Sequence, residues 1–253
     1  MSLTVKATGS GEDFQKLQPG RYEGTCFRIV DLGTRDKDFK GQVSKKEEIR
    51  LDFEITKAID PVDNQVTMED DRPFGVGKTY TASLFEMANL RKDLENWKDA
   101  VFSQAELDGF NVGDLIGMNA RIEIGHTAPD PVRGFSGGNP KILKLSRPDG
   151  GMQQTPTINP KVIFDLEDYC NNFNGKADEQ SKDMIEVYDK LPEYLQDEIA
   201  KSYEYKAATG KSSEPTESED LAKLNDQAAQ EMNSPNFDDD EKKGGHTDED
   251  IPF

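Results

Sequence analysis

Two glycine-containing stretches of this chain each gather cations around a phenylalanine. The first holds Arg35, Lys37, Phe39, Lys40, Lys45 and Lys46; the second holds Arg133 and Phe135 and runs into Lys141 and Lys144. Guanidinium and ammonium groups address phosphates, and a flat aromatic face lets a base stack, so the combination is the chemistry that holds a single nucleic-acid strand. Loops are polar in most proteins, and Asp31, Asp36, Asp38 and Asp130 dilute the charge here. The same combination of cations and a phenylalanine nevertheless occurs twice. Other aromatics are less suited to the task. Phe53 and Trp97 sit on apolar stripes and read as core, whereas Tyr22 and Tyr80 lie on strands, where either can offer a stacking face. Phe27 and Arg28 are strand neighbours, expected on opposite faces.

Other chemistries lack their residues. Gly75-Val76-Gly77-Lys78-Thr79 resembles the end of a phosphate-binding P-loop, but Arg72 stands where that motif needs its first glycine, and a β-like run follows instead of a helix. Glu69-Asp70-Asp71 adjoins Arg72-Pro73 and lacks further ligands at metal-binding spacing. His126 and His246 are too few for a histidine metal site. Cys26 and Cys170 form neither a CxxC motif nor a disulfide framework and read as free, buried thiols of a reducing compartment. No nucleophile, base and orienting group can be grouped, so the chain reads as non-enzymatic, with no cofactor.

The elements that must position the cations follow from periodicity. A strand is expected over residues 22–31, then a polar loop over 32–46. Ile49, Leu51, Phe53 and Ile55 alternate with Arg50, Asp52, Glu54 and Thr56, the pattern of a half-buried strand with its polar face in solvent. A third strand is expected over 78–85. Met87, Leu90, Leu94, Trp97 and Val101 then fall three or four apart, which predicts an amphipathic helix over 86–102. Two more strands are expected over 112–127 and 141–147. Five strands with one helix between the third and fourth is the element order of an OB-fold barrel, whose first and last inter-strand loops flank one face. The fold expected is therefore mainly β: an OB-fold-like five-stranded antiparallel barrel over residues 1–148. A linker over 149–160, a small α-helical extension over 161–206 with helices at 162–173 and 182–205, and a disordered acidic tail over 207–253 would follow.

Charge separates these parts. The chain of 253 residues carries a formal charge of −19, yet residues 1–150 hold 21 Lys and Arg against 25 Asp and Glu, and residues 151–253 hold 10 against 25. The acidity thus belongs to the C-terminal part and not to a binding surface. A tail rich in Ser, Glu, Asp, Lys and Gln cannot offset its ordering entropy. No run approaches the ~18 apolar residues of a membrane span, and the segment MSLTVKATGSGEDF has no apolar stretch of the signal-peptide kind. No membrane partner is expected.

The sequence closes on Asp248-Glu249-Asp250-Ile251-Pro252-Phe253, after a further acidic run at Asp238 to Glu241. An aromatic next to a proline, beside carboxylates, makes a compact peptide ligand for an apolar pocket rimmed by Arg or Lys. This ending resembles the acidic tip of bacterial single-stranded DNA-binding proteins, in which an OB-fold holds the strand and a flexible linker carries an Ile-Pro-Phe tip. The N-terminal region is longer than that family's domain and helices intervene before the tail, so the resemblance is closer to a bacteriophage protein of this type. It implies a protein that coats single-stranded DNA and uses residues 248–253 to recruit enzymes of replication, recombination and repair, in the bacterial cytoplasm or nucleoid. Such binders work as monomers or homo-oligomers. The alternatives are an acidic DNA mimic that inhibits a nuclease or host factor, and a strand-annealing recombination mediator.

Overall fold

The computed structural model describes residues 15–39, 41–129 and 137–210. Its centre is an antiparallel sheet in the order β3-β2-β1-β4-β5, formed by β1 (Gly20–Phe39), β2 (Gln42–Asp60), β3 (Gly75–Thr81), β4 (Asn119–His126) and β5 (Pro140–Ser146). A short sixth strand, β6 (Val162–Phe164), pairs in parallel with β1. Helix α1 (Asn89–Lys98) follows β3, and α2 (Gln104–Asp108) with a 3-10 turn at Val112–Leu115 leads into β4. Beyond β6 come four short helices, α3 (Leu166–Asn171), α4 (Glu179–Asp189), α5 (Glu193–Ala200) and α6 (Tyr203–Thr209).

The alternating residues of β2 do what their period requires. Leu51, Phe53 and Ile55 are buried with Tyr22, Tyr80, Ile122, Leu145 and the α1 residues Leu90, Leu94 and Trp97. Phe53 meets Trp97 edge to face with centroids 5.4 Å apart, and the indole N–H donates to the Asn119 carbonyl at 2.7 Å. The helix is shorter than the apolar stripe suggests: Asp99 takes a left-handed conformation at its C-cap, and both Met87 and Val101 are left exposed. The third strand ends at Thr81 rather than 85. The fourth begins only at Asn119, because Val112 to Leu115 curls into the 3-10 turn.

The largest departure is the expected loop over 32–46, which is a β-ribbon. β1 and β2 stay paired to Phe39↔Gln42, through Thr34↔Glu47, Arg35↔Lys46 and Asp36↔Lys45. A ribbon that is polar on both faces has no apolar alternation to betray it. What holds it is a second apolar cluster, in which Val30 and Leu32 meet Phe164, Leu166, Tyr169, Leu195, Ile199 and Tyr205. The helical extension is therefore docked on the ribbon, and residues 162–164, expected as helix, are the strand β6. β1 changes partner at a bulge between Cys26 and Arg28, pairing with β4 before it and with β6 after it. Gly33, at φ +69°, lets the ribbon meet the helices, since a Cβ there would stand 2.5 Å from Leu166 Cδ2. The expected linker over 149–160 is also docked: Gln153 N–H donates to Asn119 Oδ1 at 2.7 Å, and Thr155 N–H to the Gly117 carbonyl at 2.9 Å. Residues 207–209, expected at the start of the disordered tail, complete helix α6 instead, and the rest of that tail beyond Gly210 lies outside the described residues.

Asp31 lies where ribbon and helices meet, its Oδ1 accepting from Gly33 N–H at 2.8 Å. Burial pushes its carboxyl up to about 6, against the Gly33 hydrogen bond and with help from Asp165 and Glu47. A raised acid favours the native state below the ordinary carboxylate pKa and loses that contribution as pH rises through about 6. Asp31→Asn keeps the accepting oxygen, so denaturant unfolding should show the variant more stable than the parent at pH 8, by on the order of 2 kcal/mol, with the gap closing near pH 4. Equal stability at both pH values would contradict this.

Candidate nucleic-acid interface

The polar face of β2, expected in solvent, is largely buried. Glu48, Asp52 and Glu54 are only 4%, 3% and 2% exposed. A carboxylate removed from water must be neutralised or fully hydrogen-bonded, and each of these is. Asp52 accepts from Arg28 Nε at 2.6 Å and from Arg50 Nε at 2.8 Å. Burial raises its pKa, but Arg50 and Arg28 together outweigh burial and hold it below the ordinary carboxylate range. Glu48 binds Arg35 and also Lys37, the latter at 3.0 Å. Glu54 accepts the N–H groups of Ile158 and Asn159 at 2.9 and 2.7 Å, which fastens the 149–160 segment across the sheet. From α5, Glu198 reaches the other arm of Arg35 and also pairs with Lys201.

Gly77 is part of this arrangement and not of a nucleotide site. It lies in β3, and a Cβ on it would stand 1.8 Å from Asp52 Oδ1 and 2.4 Å from Arg50 Nη2. Only a glycine lets β3 approach the locked Arg–Asp pair this closely.

Aromatic rings complete the surface. Tyr194 of α5 is 39% exposed, receives a hydrogen bond from Arg28 at 3.2 Å and has the Arg50 guanidinium 5.6 Å from its ring centroid. Tyr203 of α6 is also 39% exposed, with the Lys45 ammonium 3.9 Å from its ring centroid. Its hydroxyl donates to Asp36 at 2.6 Å. Phe27 and Arg28, expected on opposite faces, are in contact, because the bulge breaks the period of two and lays the guanidinium 5.2 Å from the ring centroid. Cations beside flat rings, on a face stiffened by buried carboxylates, are suited to phosphates and stacked bases.

The sequence-derived residues divide into three groups. Arg35, Lys37, Lys45 and Lys46 are brought together on the ribbon, although Arg35 is buried between two carboxylates and only Lys45 and Lys46 are exposed. Lys141 and Lys144 lie on β5, at the opposite edge of the strand order from β3. Lys144 lines a different cleft, of about 940 Å³, with Arg121, Arg147 and the end of α1. The side chain of Phe39, together with Lys40, Arg133, Phe135 and residues 248–253, lies outside the described residues. Tyr22 and Tyr80 offer no stacking face: both are fully buried, with hydroxyl partners Gln18 and Asp93. Sequence reasoning missed Arg50, Tyr194 and Tyr203 as members of this surface, and left open which of Phe27 and Arg28 faces it. The one signal was Arg50 in polar alternation with Asp52, which a solvated strand face explains equally well.

Asp52→Asn removes the charge that neutralises two packed guanidiniums. Breaking such a buried pair should cost about 3 kcal/mol or more at pH 7. Because the Asp52 pKa is lowered, its contribution is present above the ordinary carboxylate pKa and is lost as pH falls below it, so the variant should lose less stability than the parent below about pH 4. Urea melts across pH 3–7 measure both, and parallel pH profiles would contradict the assignment.

No known protein-family model matches the chain, and a search of curated proteins finds no match to its sequence.

Proposed function

We propose that this is a non-enzymatic single-stranded DNA-binding protein whose sheet is an OB-fold-like barrel. The observation that carries the proposal is the outer face of β1, β2 and β3, where Arg28, Arg50 and Lys45 stand beside the exposed rings of Tyr194 and Tyr203, with Lys46 exposed next to Lys45 on the ribbon. The strand order β3-β2-β1-β4-β5 with α1 between β3 and β4 agrees with OB-fold connectivity, in which the face of strands 2 and 3 binds oligonucleotides. The resemblance of residues 248–253 to the tip of bacterial single-stranded DNA-binding proteins supports the reading independently. On this view the protein covers exposed strands in a bacterial cell, as a monomer or homo-oligomer, and residues 248–253 recruit replication, recombination or repair enzymes. A DNA-mimic inhibitor is the second reading, favoured by the net charge of −19.

Titration with oligo-dT at two salt concentrations separates them. A strand binder is retained at low salt, and each phosphate contact adds about −0.7 to the slope of log affinity against log salt. Lys46→Glu should reduce that slope, and Tyr194→Ala should cost on the order of 1–3 kcal/mol, with Tyr194→Phe close to the parent. Absence of binding by the intact protein at low salt would refute the proposal and favour the mimic.

The tip has its own test. Phe253→Ala should leave oligo-dT affinity within about a factor of two while weakening capture of a partner enzyme by ~2 kcal/mol or more, as loss of a buried aromatic anchor does. Equal capture by both forms would contradict the docking role.

A further inference from the structure

The ribbon and the helical extension enclose a pocket of about 300 Å³, lined by Arg35, Asp36, Lys37, Lys201, Tyr203 and Lys206. Two cations come from β1 and two from the helical part, so the pocket exists only because the two parts are docked. Its one lining carboxylate, Asp36, is held by the Tyr203 hydroxyl. Glu48 and Glu198 already bind Arg35, Lys37 and Lys201 from behind. The four lining cations outnumber the one lining carboxylate, Glu48 and Glu198 stand behind them, and the Lys45 ammonium over Tyr203 is set against Glu204. Lys206 has no ion pair among the described residues and lies one helical turn after Tyr203, on the same side of α6. The space equals about ten waters of bulk volume, enough for a phosphate group with part of its hydration.

We propose that this junction pocket is a phosphate-binding site that takes one phosphodiester of the bound strand, so that the strand runs from the sheet face onto the helical extension. Arg35 and Lys37 pair with Glu48 on the same face of β2 that carries Arg50, which makes the pocket a continuation of the face described above. The inference rests on the single-strand-binding reading. It adds that the helical extension is part of the binding surface and lengthens the site.

The experiment compares the full chain with Lys206→Glu and Lys206→Gln, using oligo-dT of graded length at several salt concentrations. Because Lys206 is exposed, thermal melting should show both variants folded as the parent. The expected result is unchanged affinity for oligonucleotides too short to leave the sheet face. Longer ones should bind several-fold more weakly, with a salt slope shallower by about 0.7 in the variants. The same loss should persist when Asp238, Asp239, Asp240 and Glu241 are neutralised to Asn and Gln in the full chain. Parent-like binding at all lengths would overturn the pocket while leaving the sheet-face reading intact. A loss that vanishes once the acidic run is neutralised would make that run the occupant and overturn the strand phosphate. Failure of the parent itself to bind would remove the reading on which the pocket depends.

Discussion

Three carboxylates on one face of β2 are almost wholly removed from water, and each must be answered by positive charge or N–H groups. That constraint organises the molecule beyond its apolar core. Asp52 draws Arg28 and Arg50 together, Glu48 draws Arg35 and Lys37, and Glu54 takes two backbone N–H groups from the segment before β6. Arg35 in turn needs a second carboxylate, supplied by Glu198 of α5. Buried ion pairs of this kind add little net stability over an apolar contact, but losing one partner is costly. Their effect here is positional: they fix where the 149–160 segment and the helices sit, and they hold guanidiniums at defined points beside the Tyr194 ring.

An apolar cluster and an ionic one thus join the helices to the ribbon from different sides. Val30 and Leu32 enter the helical core, while Arg35 bonds to α5. Tyr203 and Glu204, at the start of α6, bond to Asp36 and to the Thr34 N–H. Such a junction is cooperative, since the helices cannot leave without exposing Leu32 and stranding Arg35 together. The helical part therefore supplies rings and cations to the outer face instead of trailing behind the sheet.

What was legible in the sequence was what local periodicity encodes. Ile49 to Ile55 announced a strand and its buried side, and Leu90, Leu94 and Trp97 announced a helix and its core face. The ribbon over 32–46 was not legible, because its support comes from partners such as Glu198 and Leu195, far along the chain and with no local period. The same blindness made Glu48, Asp52 and Glu54 look like a solvated face. Composition marked 149–160 as a linker, but its docking depends on Glu54 and Asn119, which composition does not see. At the site, Lys45 and Lys46 were found as exposed cations on the ribbon, whereas Tyr194 and Tyr203 were read only as helix residues.

The central claim is that single-stranded DNA lies across the outer face of β1, β2 and β3 and beside the tyrosines of α5 and α6. Photo-crosslinking with an oligonucleotide carrying halogenated uracil, followed by mass-spectrometric mapping on the intact chain, tests it most directly. The account predicts crosslinks at Tyr194 or Tyr203, suppressed by excess unlabelled oligo-dT. Crosslinks confined to the cleft between α1 and β5, around Arg121 and Lys144, would contradict it.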